Sequence, residues 1–372
     1  MKPIRSLYSL KAIGCLFVVM IHVPFVGRGA ASPIINAAVP LFLMTSGYLL
    51  WEPGEDPIML SRKLAYAFRK MVRVIVIVNA VYLLYALFRF LVVPKETFPL
   101  QSWNDIVELI LFGRKLNGTL WYLNTYLWTL ALLWAICRCR AMKVISFLPL
   151  LLVLTFLLGR YLFILPIGPL TFDERLNCFT IGLPFVAIGY IIHRNEERLQ
   201  RIPGTKLLFG ILACIVMAYV ESLTLSALGV NNHFSQFLFT TAYAILLVVW
   251  AVTHPDWQLH PLAQNIGKYH SANIYYYHIL VANIYLSIGL FVPSIQAFIV
   301  FATVWLVSMG LKRGMGKICK LKLSPKRIAI AMQRLGYEQR RVLNTRGWNV
   351  VILTGDQIKE QQRMDAHRSV EE

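Results

Sequence analysis

Residues 72–93 read VRVIVIVNAVYLLYALFRFLVV, a run whose only charges are Arg73 and Arg89. Hydrocarbon offers the backbone no water. A crossing segment therefore needs roughly 20 mainly apolar residues that pair their own N–H and C=O groups. This stretch is long enough alone. Outward from it, comparable runs occupy Leu7–Val26, Ala37–Trp51, Thr119–Cys137, Val144–Leu165, Cys178–His193, Lys206–Leu228, His233–His254, Ser271–Val292 and Pro293–Leu311. Ala37–Trp51 and Cys178–His193 are short, and Val292-Pro293 reads as a tight helical hairpin, since proline suits a first helical turn. The 372 residues are 57% hydrophobic and 15% charged, with mean hydropathy +0.59, against about 25% charged in soluble domains. A disordered chain, a soluble basic regulator and a disulfide-stapled secreted module are excluded. The sequence predicts an all-α, polytopic membrane protein of about ten transmembrane helices.

The net charge of +19 orients it. With the N-terminus cytoplasmic, 30 of the 37 Lys and Arg lie in inner segments, 14 of them in the C-terminal tail, against 6 in outer loops. Cytoplasmic loops carry the basic excess, so both termini are expected in the cytoplasm and the chain in the cytoplasmic (inner) membrane. Residues 1–312 form the expected transmembrane domain and 313–372 a basic cytoplasmic tail. The basic residues alternate with apolar runs, so no nucleic acid is expected. In the tail an amphipathic helix is expected around Pro325–Leu335 and a strand-like run at Val350–Leu353. Such a tail suits anionic headgroups or a partner protein. Gly29-Ala30-Ala31 resembles a signal cleavage site, but His22 and Pro24 interrupt the apolar stretch before it, so an uncleaved first span is expected. The cysteines form no outer pair, and no metal cluster with ligand spacing appears.

Ionisable groups inside spans are costly and mark candidate sites. Lys11 and His22 stand eleven steps apart, about three full turns, on one helix face some 16 Å apart. A snorkelling lysine with a packed histidine and a functional pair both fit that spacing. Counted from the cytoplasmic end of each span, His22, Glu221, Arg160 and Arg89 fall in one layer of the outer half. Glu221 is a candidate for orienting His22, with a Glu221–Arg ion pair as the rival. Arg62, Lys63, Arg69, Lys70 and Arg73 cluster on the cytoplasmic side, and Arg69 and Arg73 share a face if the third helix starts early. That cluster suits phosphate or simple positive-inside anchoring. Outside, Trp121 is a candidate sugar platform or a belt aromatic, and Arg175 an acceptor contact or a loop anchor.

The opening resembles the acyltransferase-3 family of integral membrane acyltransferases, whose first span carries a basic residue, ten residues, then histidine. Here that is Lys11…His22 within Ser9-Leu10-Lys11-Ala12-Ile13-Gly14…Met20-Ile21-His22, with lysine where arginine is commoner. Pro40-Leu41-Phe42-Leu43-Met44-Thr45-Ser46-Gly47-Tyr48 is similar to the second family block, with Leu43 replacing a phenylalanine. Phe68-Arg69-Lys70…Arg73, Leu120-Trp121-Tyr122-Leu123, Arg175-Leu176…Gly182-Leu183-Pro184-Phe185 and Tyr275-Tyr276-Tyr277-His278 resemble later blocks, over residues 6–312.

The resemblance implies acyl transfer, often of acetyl from acetyl-CoA, to a hydroxyl of an extracytoplasmic polysaccharide or lipid-linked glycan. On it, Lys11, Arg69 and Arg73 would take the CoA phosphates, and the pantetheine arm would rise toward His22, acting as general base or nucleophile. Ser46 would line the path, unless Ser46-Gly47 serves close helix packing. His278, about eight residues into its expected span, would sit near the CoA path rather than beside His22. Succinyl or N-acyl transfer would suit the same fold. A glycan exporter or flippase is the alternative from another class. Transporters show internal repeats, and none is found between residues 1–160 and 161–312.

Overall fold

Residues 4–52, 54–93, 96–166, 168, 170–230, 236–321, 338–344 and 347–353 are described by a computed structural model. α1 (Arg5–His22) stops where Val23 turns to extended backbone ahead of Pro24, because proline disfavours helical geometry in the residue before it. Both ends are tied. The Arg5 N–H donates to the Pro255 carbonyl at 2.9 Å and the Leu259 N–H to Ser9 Oγ at 3.3 Å. Beyond the far end, the Val26 N–H reaches the Ser294 carbonyl at 3.0 Å.

α2 (Arg28–Ile35) and α3 (Ala38–Leu50) together make one 23-residue span, longer than the Ala37–Trp51 expected. α4 (Pro57–Val92) has 36 residues and opens on Pro57, about 54 Å at ~1.5 Å per residue. That exceeds a ~30 Å hydrocarbon core, so the helix that holds Arg69 and Arg73 does start early. α5 (Trp103–Leu111) is opened by a capping box in which Ser102 and Asp105 satisfy each other's backbone N–H. Lys115, 2.5 Å from Asp105, together with those N–H groups holds the Asp105 carboxyl below the usual carboxylate range. α6 (Trp121–Arg138) follows a single 3₁₀ turn.

The expected fifth span, Val144–Leu165, is not one helix. It breaks into 3₁₀ segments at Met142–Ser146, Leu148–Leu151 and Leu162–Ile164 around α7 (Leu152–Leu157), where Pro149 removes a backbone donor. α8 (Phe172–Arg175), a π-helical turn at Cys178–Gly182 and α9 (Leu183–Arg194) follow. Then come α10 (Glu196–Leu199), α11 (Gly204–Ala227) and α12 (Leu238–Thr253). α13 (Pro261–Asn265), a π-helical turn at Ile266–His270 and α14 (Ser271–Ser287) run on without a break. α15 (Gln296–Leu321) closes the helical series.

Among the described residues, six segments are long and apolar enough to cross a membrane: Arg5–His22, Arg28–Leu50, Pro57–Val92, Gly118–Arg138, Asp173–Arg194 and Gly204–Ala227. The chain is a multi-pass membrane protein. It divides into two compact units, Met1–Leu306 and Val307–Glu372. The second contains an antiparallel hairpin of β1 (Glu338–Asn344) and β2 (Gly347–Leu353), with Glu338 opposite Leu353 and Asn344 opposite Gly347. β2 takes in the strand-like run Val350–Leu353. The helix expected around Pro325–Leu335 lies outside the described residues.

Lipid tails are as apolar as leucine, so these helices cohere through close backbone approach and satisfied polar groups. Gly47 of α3 and Gly189 of α9 meet where those helices touch. A side chain on Gly47 would overlap the Val186 carbonyl, and one on Gly189 the Met44 carbonyl. At the same end of both helices the Tyr48 ring stacks on His193 at 4.3 Å, the His193 Nδ1–H donates to the Tyr48 carbonyl at 2.8 Å, and the Tyr48 hydroxyl donates to Glu196 at 2.7 Å. The α3 and α9 chains therefore run parallel. α11 holds α12 differently. Buried Glu221 accepts from the Leu238 and Phe239 N–H groups at 2.8 and 3.0 Å and from the Tyr161 hydroxyl at 2.7 Å, a carboxylate on the positive end of a helix.

Two stability outcomes are expected from melting temperatures in detergent. Gly189→Ala destabilises by about 2 kcal/mol or more, the cost of overpacking a tight contact, while Gly29→Ala, with open space around it, stays within about 0.5 kcal/mol. Glu221→Ala strips three part-buried donors of their acceptor and costs about 1–3 kcal/mol.

Candidate active site

α1 and α14 lie side by side in one register. Gly267, in the π-helical turn that leads into α14, lies against the Tyr8 carbonyl so closely that a side chain would overlap it. One turn further, Cys15 Sγ donates to the Ser271 carbonyl at 3.4 Å, a sequence offset of 256. Seven residues on, about two helical turns, the same offset brings His22 to His278. Their ring centroids are 5.5 Å apart at an interplanar angle of 35°.

This corrects the expectation that His278 lies on the CoA path away from His22. The helix carrying it begins at Pro261, not Ser271, so His278 is seventeen residues along its rod. His22 is seventeen residues along α1. The His260-Pro261 pair was the available signal: the His260 side chain accepts from the Leu262 N–H and proline takes the first turn.

His278 is fully buried, and its Nδ1 lies 2.8 Å from the Tyr275 carbonyl and 3.2 Å from that of Ile274. Carbonyls only accept, so Nδ1 carries the proton and Nε2 keeps a lone pair. That Nε2 is buried without a hydrogen-bond partner among the described residues. Among the described residues His22 makes no hydrogen bond either, and its ring contact is His278.

A file of aromatic rings leads away from this pair. His278 lies 6.2 Å from Tyr275, Tyr275 lies 5.2 Å from Tyr122, and Tyr122 is stacked on Tyr126 at 6.3 Å and edge-on to Trp121 at 6.5 Å. The Tyr275 hydroxyl donates to the Thr119 carbonyl. Ser46 donates to the Phe42 carbonyl at 2.8 Å and also faces the Tyr122 and Tyr126 hydroxyls. Ser46 is thus beside the file, while its neighbour Gly47 serves helix packing. Sequence reasoning missed the contact of Tyr122 with Tyr275, because ring contacts between separate spans leave no trace in either span's spacing.

Trp121 also walls a cavity of about 590 Å³ at the heads of α6 and α9, with Trp128, Phe112, Phe179, Asp173, Glu174 and Asn177. Asp173 pairs with Arg114 at 2.6 Å. Arg175 does not line the cavity. It donates to the Leu170 and Thr171 carbonyls at 2.6 and 3.2 Å and so ties down the loop beneath the cavity.

At the other end of α1, Lys11 lies against α3 beside Leu41, Phe42 and Thr45, within electrostatic reach of Lys70 on α4. Arg69 and Arg73 are exposed one turn apart on α4. Glu221, expected to orient His22, has both oxygens engaged at the head of α12 and by Tyr161. Arg160 lies within electrostatic reach of it and over the Phe237 ring. Arg89, placed by depth in the same layer, pairs with Glu96 at 2.7 Å. Of the residues assigned to that layer, Arg160 comes within reach of Glu221, while Glu221 and Arg89 are engaged by partners other than His22. Among the described residues no group of three His, Cys, Asp or Glu side chains is arranged to hold a metal ion.

Residues 4–313 match the family described as an acyltransferase domain, the acyltransferase-3 family. Among curated proteins and solved structures, none matches the chain. With that match covering most of its length, the chain belongs to the acyltransferase-3 family and is an enzyme that transfers acyl groups.

Proposed function

We propose that this enzyme moves an acyl group, acetyl in the first instance, from cytoplasmic acyl-CoA to a hydroxyl of an extracytoplasmic or lipid-linked glycan, with His22 as general base. The observation that carries this reading is the His22–His278 pair, a fully buried imidazole with an unused ring nitrogen packed against a half-buried one within the membrane-spanning unit. Burial of such a group without a partner is costly, and intramembrane ionisable residues mark functional pathways.

The surrounding residues support a two-sided path. In this reading the chain crosses the inner membrane ten times with both termini cytoplasmic. Lys11, Arg69 and Arg73 then lie at the cytoplasmic end, where a phosphorylated donor binds by charge. The acyl arm follows the face of α1 that leads from Lys11 to His22, about 16 Å. The Trp121 cavity opens at the opposite end, where aromatic walls and the Asp173 and Glu174 carboxylates suit a sugar ring and its hydroxyls. As the hydroxyl oxygen attacks the acyl carbonyl, His22 takes its proton, the C–S bond breaks, and the thiolate leaves with that proton. The tail is assigned to anionic headgroups, its 14 basic residues outnumbering 6 acidic ones over 312–372.

Inside-out vesicles with labelled acetyl-CoA and host glycans test this directly. Wild type transfers label, and His22→Ala at matched expression falls by about 100-fold or more, the usual worth of a general base. Equal transfer by the two proteins removes His22 from the chemistry. Arg69→Ala with Arg73→Ala raises the KM for acetyl-CoA about tenfold and leaves kcat nearly unchanged, whereas Trp121→Ala raises the acceptor KM. A lowered kcat with unmoved KM in either case contradicts the assigned ends.

A further inference from the structure

The His278 ring has one nitrogen committed and one idle. Its Nδ1–H is fixed by the Tyr275 and Ile274 carbonyls of its own helix, so the tautomer does not depend on any ligand. Nε2 is left as a pure acceptor, buried and unpartnered. The neighbouring His22 ring is in the opposite condition, with no hydrogen bond among the described residues to fix its tautomer. A ring nitrogen sits about 1.1 Å from an imidazole centroid. An N–H···N hydrogen bond of about 3 Å between two such rings therefore separates the centroids by about 5.2 Å. The observed separation is 5.5 Å, a distance that allows such a bond when the two ring nitrogens face each other. The other charged group within electrostatic reach of His22 is Arg28, which donates to the Ile21 carbonyl at the end of α1. A cation offers His22 no acceptor. Glu221, the carboxylate that depth brings to this layer, is engaged elsewhere.

We propose that His278 is the positioning residue of the active site: its Nε2 accepts the N–H of His22, which fixes the His22 tautomer and turns the opposite ring nitrogen toward the acceptor hydroxyl. This rests on His22 being the base. It gives a histidine the place that a carboxylate holds in a Ser-His-Asp triad. A neutral partner suits a site inside hydrocarbon, where a buried carboxylate would need its own counter-charge. When His22 takes the hydroxyl proton, its other N–H stays bonded to His278, and the positive charge is shared between two rings until the thiolate takes the proton away. No atom beyond those of donor and acceptor enters or leaves.

The test has one arm that does not involve catalysis. The full chain, labelled with ¹⁵N-histidine and placed in lipid, gives a His22 signal that is assigned by its loss in His22→Ala. Wild type shows one His22 tautomer with a hydrogen-bonded N–H. His278→Leu, similar in bulk and without an acceptor, shows a mixture of tautomers or the opposite one. His278→Gln, whose amide oxygen reaches the Nε2 position, restores the wild-type form in part. In vesicles His278→Leu lowers kcat about 100-fold with KM for acetyl-CoA unchanged, and His278→Gln recovers at least tenfold of that loss. The double variant with His22→Ala loses no more than His22→Ala alone, because residues acting as a unit are not additive. An unchanged His22 signal and unchanged kcat in both His278 variants overturn the proposal. A shifted His22 signal with no acetyl transfer in wild type would keep the pairing and reject the acyl-CoA reading instead.

Discussion

The backbone contact between α1 and the rod that carries α14 sets the geometry on which everything at the centre depends. Only glycine at 267 lets that rod come down on the Tyr8 carbonyl. Once there, the two helices cannot slide independently, because Cys15 meets Ser271 one turn later. A slip of one residue would move His278 by ~1.5 Å and rotate it ~100° around its helix, enough to take its ring off His22. The ties at both ends of α1, to Pro255 and to Ser294, hold the same register from outside. Lipid supplies no hydrophobic drive for association, so a contact that excludes even a methyl group is the available means of fixing such a register.

Glu221 is spent on a helix head, Arg89 on Glu96 and Arg114 on Asp173. Each is a costly group made tolerable by a partner, and each is explained by folding alone. Among the described residues, His278 Nε2 shares the lack of a hydrogen-bond partner with other buried atoms, Arg89 Nε among them, but it alone of these lies in a ring packed 5.5 Å from a second imidazole. Buried polar groups are nearly always satisfied, and an unsatisfied acceptor beside a second titratable ring is where chemistry is expected.

Much of this was legible in the residues. The eleven-step spacing of Lys11 and His22 needs only helix geometry, and the 36-residue α4 bears out the shared face of Arg69 and Arg73. The strand-like run at Val350–Leu353 is part of β2. What failed did so for identifiable reasons. Hydropathy started the ninth span at Ser271 because Lys268, Tyr269 and His270 are polar or amphipathic, although the helix passes through them in a π-helical turn. That error of ten residues put His278 at the wrong depth. The fifth span has the composition of a helix but not its geometry, since Pro149 and the 3₁₀ segments on either side shorten its apolar helix to Leu148–Leu157. Glu221 was matched to His22 by depth alone, and depth is one coordinate of three. Which neighbour a side chain meets is decided by tertiary contacts such as those of Gly47, Gly189 and Gly267.

The polarity of the assembly also bears on why a histidine pair would suit a reaction that spans a membrane. Phosphates cannot follow an acyl arm into hydrocarbon without a large desolvation cost. In the proposed reaction a phosphorylated donor would therefore be held at its own surface by groups such as Lys11 and Arg69, with only its uncharged end reaching the interior. The proposed glycan acceptor would meet the same barrier from the opposite side. The reacting atoms then meet where neither surface supplies water to carry protons. A base in that position has to hold its tautomer without solvent and accept a proton without a permanent counter-ion. Two imidazoles in fixed register, one locked by its own backbone and offering its free nitrogen to the other, meet both requirements with uncharged groups.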